Sequence, residues 1–213
     1  MEKLKKLIRG KRKVYLPARG RVTPFEVVCE NMVSWGHVTR FLDRDVSEVE
    51  IRKLMAAATT AHSSGDREPW EFIIVRDADL RRRLGEATDK RDWIAQAPVL
   101  IVLCANNKIA GAGAQGERGI KLYAVQDIAA AAENILLAAT SIGLASSWVG
   151  EFDEPKVNMI LSTPEWVRPQ IIIAVGWPAE APVKKQRHRL NDIIHLDTFG
   201  QTPSALNAWG HGH

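Results

Sequence analysis

The chain has 213 residues, 46% of them hydrophobic, which suits one domain with a substantial core and is too short for several. No run approaches the roughly 18 consecutive apolar residues of a membrane helix, because the most apolar segment, 124–145, is broken by Gln126, Asp127, Glu133 and Asn134. The net charge of +4 is uneven: residues 1–21 hold nine Lys and Arg against Glu2 alone, a balance of +8 that leaves −4 for the rest, so the basicity says nothing about the domain's substrate.

The basic arm, residues 1–24, sets Leu4, Leu7 and Ile8 on one helical face ahead of Tyr15, Leu16 and Pro17. It reads as a solvated or dimer-wrapping arm; the alternative is a patch for nucleic acid or anionic lipid, which no aromatic interleaving supports. The arm resembles the opening of a signal peptide, but no apolar stretch follows Lys13, and a cytoplasmic protein is expected.

From residue 25 the pattern is globular. Ser47 and Glu50 form a capping box ahead of Ile51, Leu54, Met55 and Ala58, which predicts a helix over 47–61. The run 72–75 reads as a buried strand, and Asp77 caps a helix carrying Leu80, Leu84 and Ala87. A second buried strand at 99–103 leads into a glycine-rich segment, 111–119, expected to be a mobile loop. A long helix over 123–142 ends at Gly143, residues 143–150 make a turn and short strand, Asp153 and Pro155 open another helix, and 170–175 is a further buried strand. Strands do not alternate regularly with helices, so an α+β sheet flanked by helices is predicted rather than a doubly wound fold.

Little in this chain suggests metal or thiol chemistry. Cys29 and Cys104 lack metal-ligand spacing, and Cys104, inside an apolar run, reads as an inert buried thiol. His188, His195, His211 and His213 show no ligand spacing, so no metal is expected. The segment His62, Ser63, Ser64, Gly65, Asp66, Arg67, Glu68, Pro69, Trp70 is more informative. It is either an ordinary helix-to-strand connection or a loop that offers N–H groups and hydroxyls to a planar heterocycle or phosphate.

That segment resembles the P-S-x-x-N-x-Q-P-W signature of the nitroreductase family through Ser63, Pro69 and Trp70, followed by a D-x-x-L-R-R-x-L helix at Asp77, Leu80, Arg81, Arg82 and Leu84. The likeness continues through Trp93, Ile94, Ala95, Ala97 and Pro98, then Tyr123 to Asp127, then Gly143 to Gly150 with Phe152 and Asp153, covering roughly 33–195 in order.

The resemblance implies a mostly antiparallel sheet flanked by helices, in an intertwined homodimer whose subunits both line each site. It implies FMN as cofactor, held by the 63–68 loop (Ser63, Ser64, Gly65, Asp66, Glu68) and by Trp148, Val149 and Gly150, which lie over the ring and place a backbone N–H near N5. Lys185 and Arg187, by themselves a solvated charge run, then match the pair that clamps the phosphate. NADH or NADPH is the implied electron donor, and a nitroaromatic, quinone or flavin the acceptor, with ping-pong turnover and no catalytic side chain. The domain, 25–213, is expected to send the chain beyond Arg187 across to the partner subunit.

Two departures stand out. Where the family shows Arg, Ser and Arg reaching the phosphate and ribityl chain, this sequence has Trp35, His37 and Thr39, with Arg40 adjacent and Phe41 matching. In the signature loop Asp66 and Glu68 replace Asn and Gln; a carboxylate only accepts, so a lowered flavin potential is expected. These departures leave an alternative: a non-catalytic flavin- or nucleotide-binding module whose basic arm docks nucleic acid or an acidic partner.

Overall fold

A computed structural model of the chain describes residues 37–89, 91–183, 188 and 190–201. The basic arm, Trp35, Lys185, Arg187, His211 and His213 therefore lie outside the described residues. Two compact units divide the chain, Met1–Pro182 and Val183–His213.

The first unit is built on a four-stranded sheet of β1 (Trp70–Val75), β2 (Val99–Asn106), β3 (Ala145–Val149) and β4 (Val167–Gly176). Its order is β1-β2-β4-β3 and every pairing is antiparallel, as expected. β2 pairs Leu100 with Val75 on one side and with Ala174 on the other. β4 starts three residues before the predicted strand and contains Pro169, which lacks an N–H. The proline is tolerated because it falls at a register shift between Leu103 and Cys104, beyond the reach of β3, whose last pairing is Val149 with Ile172.

Alternation along the central strands separates two apolar faces. Ile101, Leu103, Ile171 and Ile173 pack under α1 (Glu48–Ala58) and α3 (Ala124–Ser141), together with Leu54, Ile128 and Ile135. Leu100, Val102, Cys104 and Ile172 pack under α2 (Ala78–Glu86) and α4 (Glu154–Leu161), with Leu84, Ile94 and Val157. The predicted capping box of α1 forms in both directions, Asp77 caps α2 through the Leu80 N–H, and Asp153 caps α4 through the Lys156 N–H. The helical run 113–141 is apolar and long enough to cross a membrane, yet Ile128, Ala131, Ala132, Ile135 and Ala139 of α3 face the core.

The segment 111–119 is not a loop. A helical turn at Asn107–Ala110, a 3-10 turn at Gly113–Gln115 and a further turn at Gly116–Arg118 lead into a π-helical turn, Gly119–Tyr123, that runs on as α3. Glycine here serves close packing: a Cβ on Gly119 would collide with the Ala110 carbonyl oxygen. In the second unit, a short helical turn at Leu190–Ile193 is followed by Leu196 and Phe199; Ile193, Leu196 and Phe199 are 57%, 52% and 91% exposed.

Candidate functional site

The 63–68 loop is pinned to the start of α3. The Ser64 N–H and hydroxyl both donate to Asp127 Oδ1, each at 3.0 Å. Asp127 is only 5% exposed, and a buried carboxylate needs such donors. Gln115 Nε2 donates to the Ser64 carbonyl at 2.9 Å, and the Ser63 hydroxyl accepts from the Glu68 N–H at 3.0 Å. Ser63 and Ser64 therefore shape the loop with their side chains. Gly65, Asp66 and Glu68 all have left-handed backbone, φ 66°, 51° and 50°, although two of the three are not glycine. A Cβ on Gly65 would come to 3.0 Å from Gln115 Nε2. Asp66 and Glu68 are exposed.

Residues 37–41 run beside the other end of the sheet. The buried Ser147 hydroxyl donates to the Val38 carbonyl at 2.6 Å and accepts its N–H at 3.2 Å, which fixes the segment to β3. The His37 ring meets the Trp93 ring edge-on at 5.3 Å. Three donors converge on one oxygen: the Thr39 N–H at 2.8 Å, the Thr39 hydroxyl at 3.0 Å and the Arg40 N–H at 3.0 Å all reach Glu180 Oε1. These bonds, the Thr39 N–H foremost, hold the Glu180 carboxyl below its ordinary pKa. Residues 39–40 thus form an anion-binding turn that is filled by the chain's own carboxylate, and the Thr39 hydroxyl expected to meet phosphate is committed to Glu180. The Arg40 residue is exposed.

The third element is the end of β3. Trp148 packs partly buried against the core on the α1/α3 side, Val149 is fully buried on the opposite face, and Gly150 is exposed just past the strand. A Cβ on Gly150 would lie 3.4 Å from the Trp148 indole nitrogen. Ser146 is 1% exposed and its hydroxyl finds no partner.

Topology decides how these pieces can meet. The 63–68 loop feeds β1 and the 148–150 turn leaves β3, and these are the two outer strands, with β2 and β4 between them. At about 4.8 Å per strand the two edges stand roughly 14 Å apart. Within one chain the loop and the turn are therefore on opposite sides of the molecule's sheet. Lys185 and Arg187 lie outside the described residues.

Asp127, Gln115, Ser147 and Glu180 organise these segments and were not read as site residues. Asp127 carried a usable signal, since an acid interrupting an apolar helix demands a partner; Gln115 and Glu180, each distant in sequence from the segment it bonds, carried none. Among the described residues no group of three or more His, Cys, Asp or Glu could hold a metal ion.

The donor set at one end fits the phosphate of FMN: the 39–40 turn binds an anion, with Glu180 standing in for it, beside the exposed Arg40 and the half-buried His37.

Comparison with known proteins converges. The Nitroreductase family model matches residues 38–91 and 88–177. A protein of Methanothermobacter thermautotrophicus, provisionally named an NADH dehydrogenase/NAD(P)H nitroreductase, is 33% identical over 191 residues, 88% of this chain and 95% of its own length. An FMN reductase (NADPH) of Bacillus subtilis is 28% identical over 184 residues, 80% of this chain and 73% of its own. The crystal structure of a nitroreductase family protein from Streptococcus pneumoniae superposes with a TM-score of 0.71 at 25% identity, over 78% of this chain and 98% of that one.

Proposed function

The chain belongs to the nitroreductase family and is an NAD(P)H-dependent oxidoreductase, and from that premise we propose that it works through bound FMN in a site shared by two copies of the chain. The observation that carries the proposal is the placement of the 63–68 loop and the 148–150 turn on opposite edges of the sheet. Both match segments that contact the flavin in the family. Two copies related by a two-fold axis would set the loop of one against the turn of the other, giving two equivalent sites. The exposed Ile193, Leu196 and Phe199 supply apolar surface for a tail that packs on the partner.

When bound, FMN supplies the redox chemistry, taking a hydride from NADH or NADPH and passing it to a small nitroaromatic, quinone or flavin acceptor in ping-pong order. The protein's residues align and exclude water. Gly65 would give a bound ring close access to the loop, Trp148, Val149 and Gly150 would offer it backbone N–H, and Asp66 or Glu68 would accept a hydrogen bond from it. Arg40 and His37 would hold the phosphate, and the resemblance assigns Lys185 and Arg187 the same role. Thr39 would contribute its N–H and hydroxyl together, once the phosphate takes the place that the Glu180 carboxylate fills.

The test is the absorption spectrum of the purified protein before and after anaerobic addition of each nicotinamide. A bound flavin spectrum that bleaches with NADH or NADPH supports the reading; a colourless protein that takes up no FMN contradicts it.

A further inference from the structure

We infer that Arg67 anchors an oxyanion, a carboxylate or phosphate carried by one of the two small-molecule reactants, and so sets which of them the enzyme prefers. The inference rests on the flavin reading of the same loop and adds to it a charge that reading does not use.

The observation is an unanswered cation. Arg67 is half-buried, and its Nε is shielded from solvent with no hydrogen-bond partner among the described residues. Its chain neighbours Asp66 and Glu68 are exposed, and no ion pair joins either of them to it among the described residues. Both neighbours have left-handed backbone, while Arg67 itself is right-handed helical at φ −88°, ψ −22°. This alternation is strained, and bonds from Asp127, Gln115 and Ser63 hold it in place. Its effect is to place one half-buried arginine, its Nε shielded, between two exposed acids.

A shielded charged donor without an acceptor is costly and persists where something outside the chain completes it. Two glycines make room for the guanidinium. Arg67 Nη2 lies 3.1 Å from the Cβ position of Gly113 and Nε lies 3.8 Å from that of Gly65, so glycines of two different segments flank the guanidinium. A planar fork of N–H donors there suits a two-oxygen anion, bound bidentately.

Isothermal calorimetry on the FMN-loaded protein tests this with two probe pairs, each differing by one anionic group: 4-nitrobenzoate against 4-nitrobenzamide, and the unreactive NADP+ against NAD+. The wild type is expected to prefer the anionic member of at least one pair by about tenfold. Arg67→Gln is expected to abolish that preference and Arg67→Lys, which keeps the charge but not the fork, to keep part of it. Loss in the first pair identifies the acceptor's carboxylate as the ligand; loss in the second identifies the dinucleotide's extra phosphate. No preference in either pair, or one that survives in a folded Arg67→Gln chain, overturns the inference whether or not the variant changes subunit assembly. Flavin content, read separately from absorbance, reports failure of the cofactor reading by itself.

Discussion

Single residues in this protein act mainly by fixing backbone. Ser147 makes two bonds to Val38 in a buried setting, and Ser147→Ala should cost about 1–3 kcal/mol because it strands both Val38 groups. Chemical denaturation measures the loss, and an unchanged midpoint would mean the segment 37–41 is held otherwise. The Glu180 carboxyl has a lowered folded pKa, so its contribution is complete above the ordinary carboxylate range and disappears as pH falls through the lowered value. Amide protection at Thr39 and Arg40 should therefore hold from neutral pH down through the ordinary glutamate range, about 4.3, and be lost only below it; in Glu180→Gln the pH step should vanish. Asp66→Asn removes a charge beside the proposed ring while keeping a residue that tolerates left-handed backbone. It should raise the midpoint potential of the bound flavin, and a potential that stays put would remove Asp66 from the ring's surroundings. Cys104, its pKa pushed up to about 12 by burial and then by Glu71, should resist alkylation at pH 8 in the folded protein, as peptide mapping would report.

Among elements, what could be read in advance followed from local chemistry. Capping residues with unambiguous side chains, Ser47, Asp77 and Asp153, placed three helix starts correctly, and apolar runs located the central strands. The segment 111–119 misled because four glycines were read as freedom, whereas Gly119 is needed for contact with the Ala110 backbone, a tertiary fact invisible in a local window. Gly119→Ala should consequently disturb the π-helical turn ahead of α3 and lower thermal stability clearly, while Gly116→Ala, with nothing within 4 Å of its Cβ but φ at 50°, should show only the milder backbone penalty. Equal melting temperatures for the two variants would argue that the close approach is not structural. Likewise Pro169 hid the first residues of β4, since a proline ordinarily argues against a central strand and only the register shift accommodates it.

For the whole molecule, the mostly antiparallel sheet with helices on its faces was legible, and ordered motifs revealed the family; no single motif would have done so. The sequence motifs name the segments of the proposed site but not their place in the fold. Their arrangement depends on strand order, β1-β2-β4-β3, which is non-local and cannot be extracted from periodicity. Under the proposed function, that order sets the 63–68 loop and the 148–150 turn of one chain on opposite edges and assigns them to two sites shared between two chains. Sedimentation of the flavin-loaded protein, followed at the flavin absorption band over a dilution series, tests this most directly. The account predicts one FMN per chain moving with the dimer and released as the dimer dissociates; flavin that stays bound to a sedimenting monomer would contradict it.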